Sequence, residues 1–231
     1  MEKKQETMSN WSCVTQLLES EGPIELGRYN SFLTHLTPRR MLYSLSYYKF
    51  AAKMIGTGKR VLDVGCNEGF GSWVMAKECG YCKGIDFDTQ AIEIACRNFN
   101  DPSIAFEALD FFNMPPGTFD AAVNFDVIEH IYPEHAPAFV QMLAGNLTDE
   151  GIAVIGTPSA ISQQFASPVT QRGHVNMYSY DRLFTELSAS FEHVFLFAAN
   201  DEVIHTGFLP LAHYFIALCC KPKRERYSRI G

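Results

Sequence analysis

"VLDVGCNEGFGS", residues 61–72, carries an apolar strand pattern into a glycine-bearing turn and then into a helical pattern. The strand ends in Asp63-Val64-Gly65, and the helix opens near Gly69. Strand, tight turn and helix in that order place backbone N–H groups at the carboxyl edge of a sheet, where open α/β sheets bind ligands. Gly65 and Gly69 have no Cβ, so the main chain can turn sharply there and come close to a ligand. Asn67, between them, tolerates the left-handed backbone region.

Working outward, the chain alternates. Strand patterns at 60–64, 81–86, 104–109, 119–125 and 152–157 are separated by helical patterns at 69–79, 89–99 and 134–147. Short connections between alternating strands and helices predict an α/β fold, a doubly wound, mostly parallel sheet with helices on both faces. Runs such as "AAVNF" and "IAVIG" are apolar throughout, as strands covered on both sides require. After Pro158 the pattern breaks into a polar stretch, 159–179, then a helix at 180–188 and strands at 193–198 and 211–219. Toward the N-terminus, residues 1–9 read as disordered. A helix is expected over 11–19, with Asn10 as its cap, and another over 37–55. The expected division is a helical extension, 1–55, packed on the core as a lid, and a ligand-binding domain, 56–231. The basic tail from residue 221 reads as a solvated end.

Bulk properties narrow the function. With 47% hydrophobic residues the chain can bury a core, and a net charge of −7 opposes a broad grip on nucleic acid. Seven cysteines, with Cys79 and Cys82 spaced as a CxxC that has no second pair or His partner, read as reduced thiols. The longest apolar run, 203–220, is broken by His205, Thr206, Gly207, Pro210 and His213, so no membrane span is expected. A cytoplasmic protein is the expectation. His130 and His135, five residues apart, do not share a helix face, and no metal site is expected.

"GIDFD", residues 84–88, is the second landmark. Asp86 closes the next strand, 21 residues after Gly65, where a carboxylate can accept both ribose hydroxyls of an adenosine ligand; Phe87 offers an apolar face to the base. A dinucleotide fits poorly. Gly69-Phe70-Gly71 is followed by Val74 where G-x-G-x-x-G needs its last glycine. A carboxylate at Asp63 would repel a pyrophosphate and suit a cationic ligand, such as a sulfonium with a free amino group.

"VLDVGCNEGFGS", "GIDFD", "ALDFF" and "FDAAVNFDVIEH" together resemble, in order and spacing, the class I S-adenosylmethionine-dependent methyltransferases, in particular the ubiquinone-biosynthesis-like group that acts on small molecules. The resemblance covers about residues 45–160. It implies a seven-stranded sheet with a reversed last hairpin and S-adenosyl-L-methionine as cofactor. By position, Asp63, Gly65, Cys66 and Gly69 would surround the methionine part and Asp86 with Phe87 the ribose and base. Asp110 and Phe111 would meet the adenine, and Phe125 and Asp126 would line the sulfonium side. Tyr48, in "SYYKFAA", would lie over the cofactor. Asn67 stands where the family usually has Gly.

Transfer to a hydroxyl is helped by a base, for which Glu129, His130 and His174 are the candidates. The plainer readings are a helix-start residue for His130, a structural hydrogen-bond acceptor for Glu129 and a loop anchor for His174. The implied partner is a small-molecule acceptor, a sugar or secondary-metabolite-like compound, methylated on O or N, with homodimerisation left open. A nucleic-acid methyltransferase is opposed by the acidic charge and by Asn124-Phe125-Asp126-Val127, which is not the Asn-Pro-Pro-aromatic pattern. A non-catalytic cofactor-binding module and an aminopropyltransferase built on the same sheet compete with the methyltransferase reading.

Overall fold

The computed structural model of the protein describes residues 2–224, apart from the side chains of residues 2 and 21. The basic tail beyond 224 lies outside the described residues, while Arg224 itself bonds Asp149 Oδ1 at 2.9 Å.

Among the described residues, eight strands form one sheet in the order β3-β2-β1-β4-β5-β8-β6-β7. They are β1 (Lys59–Val64), β2 (Gly80–Asp86), β3 (Ile104–Ala108), β4 (Phe119–Phe125), β5 (Leu147–Pro158), β6 (Phe191–Ala199), β7 (Ile204–His205) and β8 (Tyr214–Pro222). The first five pair in parallel, and β8 runs antiparallel between β5 and β6. The expected seven strands are therefore present, and the eighth is the two-residue edge strand β7, too short to carry a periodic signal. Strand order reverses between β1 and β4. This opens a crevice at their carboxyl ends, the site where doubly wound sheets take ligands.

Eight helices accompany the sheet among the described residues: α1 (Glu2–Glu21), α2 (Gly27–Leu36), α3 (Arg39–Ile55), α4 (Phe70–Cys79), α5 (Thr89–Asn98), α6 (Ala136–Gly145), α7 (Pro168–Gly173) and α8 (Tyr180–Ser190). Successive strand residues point to opposite faces, and each face has its own core. Val61, Ala121, Val123 and Val154 pack with Ala51 and Ile55 of α3 and Met75 of α4. Leu62, Ala122, Ala153 and Ile155 pack with Phe139 and Leu143 of α6 and Leu183 and Leu187 of α8.

The N-terminal region departs from expectation. Residues 2–9 belong to α1; "EKKQETMS" contains neither Gly nor Pro and is rich in good helix formers. Nor does α1 pack on the core: Trp11, Leu17 and Leu18 are all more than 60% exposed. The elements that cover the domain are α3 and α2, the latter unforeseen because its start carries no side-chain cap. Instead Glu68, buried in the turn after β1, holds it. Its carboxylate accepts from the Tyr29 N–H at 2.7 Å, the Asn30 N–H at 3.2 Å and Asn30 Nδ2 at 2.6 Å. The stretch 159–179 is likewise ordered, into a 3-10 segment (Ala160–Phe165) and α7, capped by Ser167.

Glu68→Ala leaves two α2 amides without their acceptor, at a cost of about 1–3 kcal/mol. Hydrogen exchange across residues 27–36 is expected to speed up while exchange in β1 and β4 stays slow. Uniform acceleration across the sheet would show that Glu68 supports the whole domain instead.

Candidate functional site

A cavity of about 530 Å³ lies over the carboxyl ends of β1, β2 and β4. It is lined by Val64, Gly65, Cys66 and Asn67 after β1, by Ile85 to Asp88 after β2, by Leu109 to Phe112 after β3, and by Phe125 to Val127 after β4. Tyr29 and Asn30 of α2 and Ser44 and Tyr48 of α3 form the opposite wall. Those two helices close what would otherwise be an open crevice.

The turn after β1 is built from unusual backbone angles. Gly65 (φ +80°) and Asn67 (φ +49°) both sit in the left-handed region, as residue types allow. A Cβ at Gly65 would strike Val127 at 2.2 Å, so the turn is pressed against the end of β4. Asp86 fastens it from the other side. One of its oxygens accepts from the Asn67 N–H and the other from the Asp88 N–H, each at 2.9 Å. A carboxylate oxygen has a second lone pair, so each retains capacity to accept from a ligand. Asp110 repeats the device after β3, accepting from the Phe112 N–H at 3.0 Å and thereby shaping the wall made by Phe111 and Phe112. Phe87 stands 83% exposed at the cavity mouth.

Ten of the sequence-nominated residues line the cavity: Tyr48, Gly65, Cys66, Asp86, Phe87, Asp110, Phe111, Phe125, Asp126 and His130. Four do not: Asp63, Gly69, Glu129 and His174. Asp63 is fully buried and turned into the core, where Ser72 Oγ donates to it at 2.6 Å and the Tyr48 hydroxyl at 3.2 Å. Burial pushes its carboxyl up to about 7, against the pull of those two hydroxyls. The expected free carboxylate facing a cation is therefore replaced by a buried group that fixes Tyr48, whose ring does line the cavity and meets Phe125 edge-on at 4.9 Å. Gly69 is small for a packing reason: a Cβ there would lie 2.6 Å from the Phe106 ring and 2.9 Å from the Ala95 methyl.

Beyond β4 lies a polar cluster. Asp126 adopts φ +57°, rare for a non-glycine residue and typical of functional rims. Burial raises its carboxyl, while the Tyr214 hydroxyl, His130 and Arg40 pull it back. Glu129 is completely buried behind the wall and accepts from Thr157 Oγ1 at 3.0 Å. Burial, then the Asp126 charge, raises its carboxyl well above the usual range. His174, from the loop after α7, brings its ring 5.0 Å from that of His130. Burial, then His130 and Arg40, lowers it to about 4, so it is neutral near pH 7.

Lining residues not nominated from sequence include Tyr29, Asn30, Ser44, Phe70, Phe112, Val127 and Ile131. Those from α2 and α3 carry no local motif; only the fold brings them over the crevice.

A family model described as a methyltransferase domain matches residues 34–197. The chain is similar to a probable S-adenosylmethionine-dependent methyltransferase of Mycobacterium tuberculosis, 28% identical over 106 residues, covering 46% of this chain and 38% of that protein. It is also similar to a ubiquinone biosynthesis O-methyltransferase of Paraburkholderia xenovorans, 38% identical over 82 residues, covering 32% of this chain and 34% of that one. The matches thus span less than half the length of these relatives. Among solved structures, the N-methyltransferase NodS of Bradyrhizobium japonicum in complex with S-adenosyl-L-homocysteine superposes with a TM-score of 0.57 at 18% identity, over 80% of this chain and 86% of that one. At that identity the likeness is one of fold. With the family model covering well over half of its residues, the chain belongs to the methyltransferase-domain family.

Proposed function

We propose that the protein is an S-adenosylmethionine-dependent methyltransferase acting on an oxygen or nitrogen of a small molecule. The observation that carries this reading is the pair of carboxylates, Asp86 and Asp110, set on adjacent strand ends around one cavity at the β1–β4 switch point. The residues fit an adenosyl ligand. Asp86 keeps acceptor capacity for ribose hydroxyls, Asp110 and the Phe111–Phe112 wall suit an adenine, and the volume lies within the range of small-ligand sites. S-adenosylmethionine supplies a methyl group on a sulfonium, ready for in-line transfer to a nucleophile.

The chain's own residues supply position, dryness and a proton acceptor. Asp63 holds Tyr48, and Tyr48 with Phe125 forms an apolar wall that excludes water from the transfer side. Asp126 provides a carboxylate at the same rim. Of the three base candidates, His130 is the one that reaches the cavity. Its Nδ1 lies 2.8 Å from the Gly173 carbonyl, which can only accept, so Nδ1 donates there and the neutral ring would present its Nε2 lone pair away from that bond. Closure of the cavity by α2 and α3 leaves room for a small acceptor, and the family relative named for ubiquinone biosynthesis supports an acceptor of that class.

Calorimetry with S-adenosylmethionine tests the cofactor site. Micromolar binding is expected, weakened more than about tenfold in Asp86→Ala, the loss of one charge-assisted bond; unchanged affinity would remove Asp86 from the ribose. Incubation with methyl-labelled cofactor across phenols, sugars and amines tests the reaction, and binding without transfer to any of them favours a non-catalytic module.

Asp63 makes a pH prediction. Its folded value of about 7 stands above the ordinary 3.8, so the folded chain keeps a proton that the unfolded chain has released. Its stabilising share is whole below about pH 4 and is lost as pH rises to about 7, on the order of a few kcal/mol. The stability of Asp63→Asn relative to the parent should therefore climb between those pH values and then level off. A difference independent of pH would mean that Asp63 is ionised in the fold throughout.

A further inference from the structure

We infer that α1 is a self-association surface, on which two copies of this chain pair antiparallel through the face carrying Met8, Trp11, Val14 and Leu18. The helix runs from Glu2 to Glu21, about 30 Å, and its large apolar side chains are left off the core. Met8, Trp11, Val14, Leu17 and Leu18 are all exposed. Spacings of three, three and four residues set Met8, Trp11, Val14 and Leu18 on one stripe, and Leu17 widens it. The opposite face, Gln5, Ser9, Ser12 and Gln16, is polar throughout. The middle of the helix, "SNWSCVT" (residues 9–15), is poor in strong helix formers, so packing of the apolar face has to supply much of its stability. A contiguous exposed stripe of large apolar side chains marks an interaction site.

Charge decides what covers the stripe. The basic residues of α1 are Lys3 and Lys4, both in its first turn, while the last turn carries Glu19 and no basic residue. Lysines beside the N-terminal pole and a carboxylate beside the C-terminal pole both oppose the helix's own macrodipole. Glu6 offsets part of the N-terminal charge, but no basic residue of α1 lies near Glu19. A second α1 running the other way answers both ends at once, since its Glu19 comes to Lys3 and Lys4 and its lysines come to Glu19. Lys4 and Glu19 are about four turns apart, so they flank the same edge of the stripe and meet across a two-fold axis. Parallel pairing keeps the apolar contacts but stacks lysine on lysine and Glu19 on Glu19. An anionic membrane surface would ask for cations along the whole polar face, which here holds Ser and Gln.

The apolar register agrees with the charge register. Setting Lys3 opposite Glu19 puts the two-fold axis at Trp11, midway between them in sequence, so that the two indoles meet at the centre. The same register faces Met8 with Val14 on either side and lays Leu18 against the aliphatic stem of Lys4. Two threonines beside the stripe bring no unsatisfied hydroxyl to the contact. Thr7 Oγ1 donates to the Lys3 carbonyl at 2.8 Å and Thr15 Oγ1 to the Trp11 carbonyl at 3.0 Å.

Sedimentation velocity of the full chain over a dilution series tests the pairing, with Trp11 fluorescence as a second readout. A concentration-dependent dimer is expected. Trp11 emission should shift to the red and open to acrylamide as the dimer dissociates, over a constant background from Trp73, which is stacked on Phe99. Trp11→Glu should raise the dimer Kd at least about a hundredfold, as loss of a central aromatic anchor does. Lys4→Glu and Glu19→Lys should each raise it about fivefold, since each exposed pair occurs twice, and the two changes together should restore it. Both single changes suit the macrodipole of α1, so weaker pairing in them does not come from a melted helix. A chain monomeric at every concentration overturns the inference. Trp11 open to acrylamide in that monomer would leave the stripe to a different protein, and Trp11 shielded would mean that α1 folds back on its own domain. A dimer indifferent to Trp11→Glu places the contact elsewhere and overturns it too, and failure of the double charge change to recover overturns the antiparallel arrangement.

Discussion

A buried carboxyl at the end of the first strand organises the site. Asp63 has no exposed surface and is held between Ser72 of α4 and Tyr48 of α3. It thereby joins the strand, the helix that follows it and the helix that covers it. Burying a carboxyl without partners is costly, and two hydroxyl donors reduce that cost only in one arrangement of the three elements. Tyr48 in turn packs so closely on α4 that a Cβ at Gly71 would lie 2.1 Å from its ring. The shape of the β1–β4 crevice thus depends on a carboxyl that does not line it.

Around that anchor the rim is assembled from backbone held by carboxylates. Asp86, Asp110 and Glu68 each bind main-chain N–H groups of the next turn or of α2. These side chains shape the loops, and two of them also face the cavity. Loops bound in this way are preorganised, so little ordering remains to be done when a ligand arrives. The other side of the cavity is different in character: Asp126, Glu129, His130, His174 and Tyr214 crowd together with several polar atoms left unsatisfied. On the proposed reading, a well-satisfied cofactor side would stand beside a polar, unsatisfied acceptor side, the asymmetry expected where one ligand is constant and the chemistry happens at the other end.

Much of this was legible in the sequence. Strands β1 to β5 carry strong apolar runs, and the acidic residues that end β1 and β2 and follow β3 and β4 mark the crevice by their positions alone. Asn67 was readable because few residues adopt a left-handed turn. What escaped was set by tertiary contacts. Asp63 could be placed at a strand end, but not its orientation, which Ser72 and Tyr48 decide. The α2 helix has no cap and a weak pattern, and Glu68 reaches it across 39 residues. The N-terminal stretch had helix-forming composition that its polarity disguised. The approach of His174 to His130 depends on a loop without periodicity, where no local rule applies.

The most direct measurement is a crystal structure of the protein grown with S-adenosyl-L-homocysteine and, in parallel, with NAD. The homocysteine compound should occupy the crevice with its ribose hydroxyls on Asp86, its adenine between Asp110 and the Phe111–Phe112 wall, and its sulfur toward Phe125 and Asp126. NAD seated over Gly65, with the other compound absent or bound elsewhere, would contradict the account.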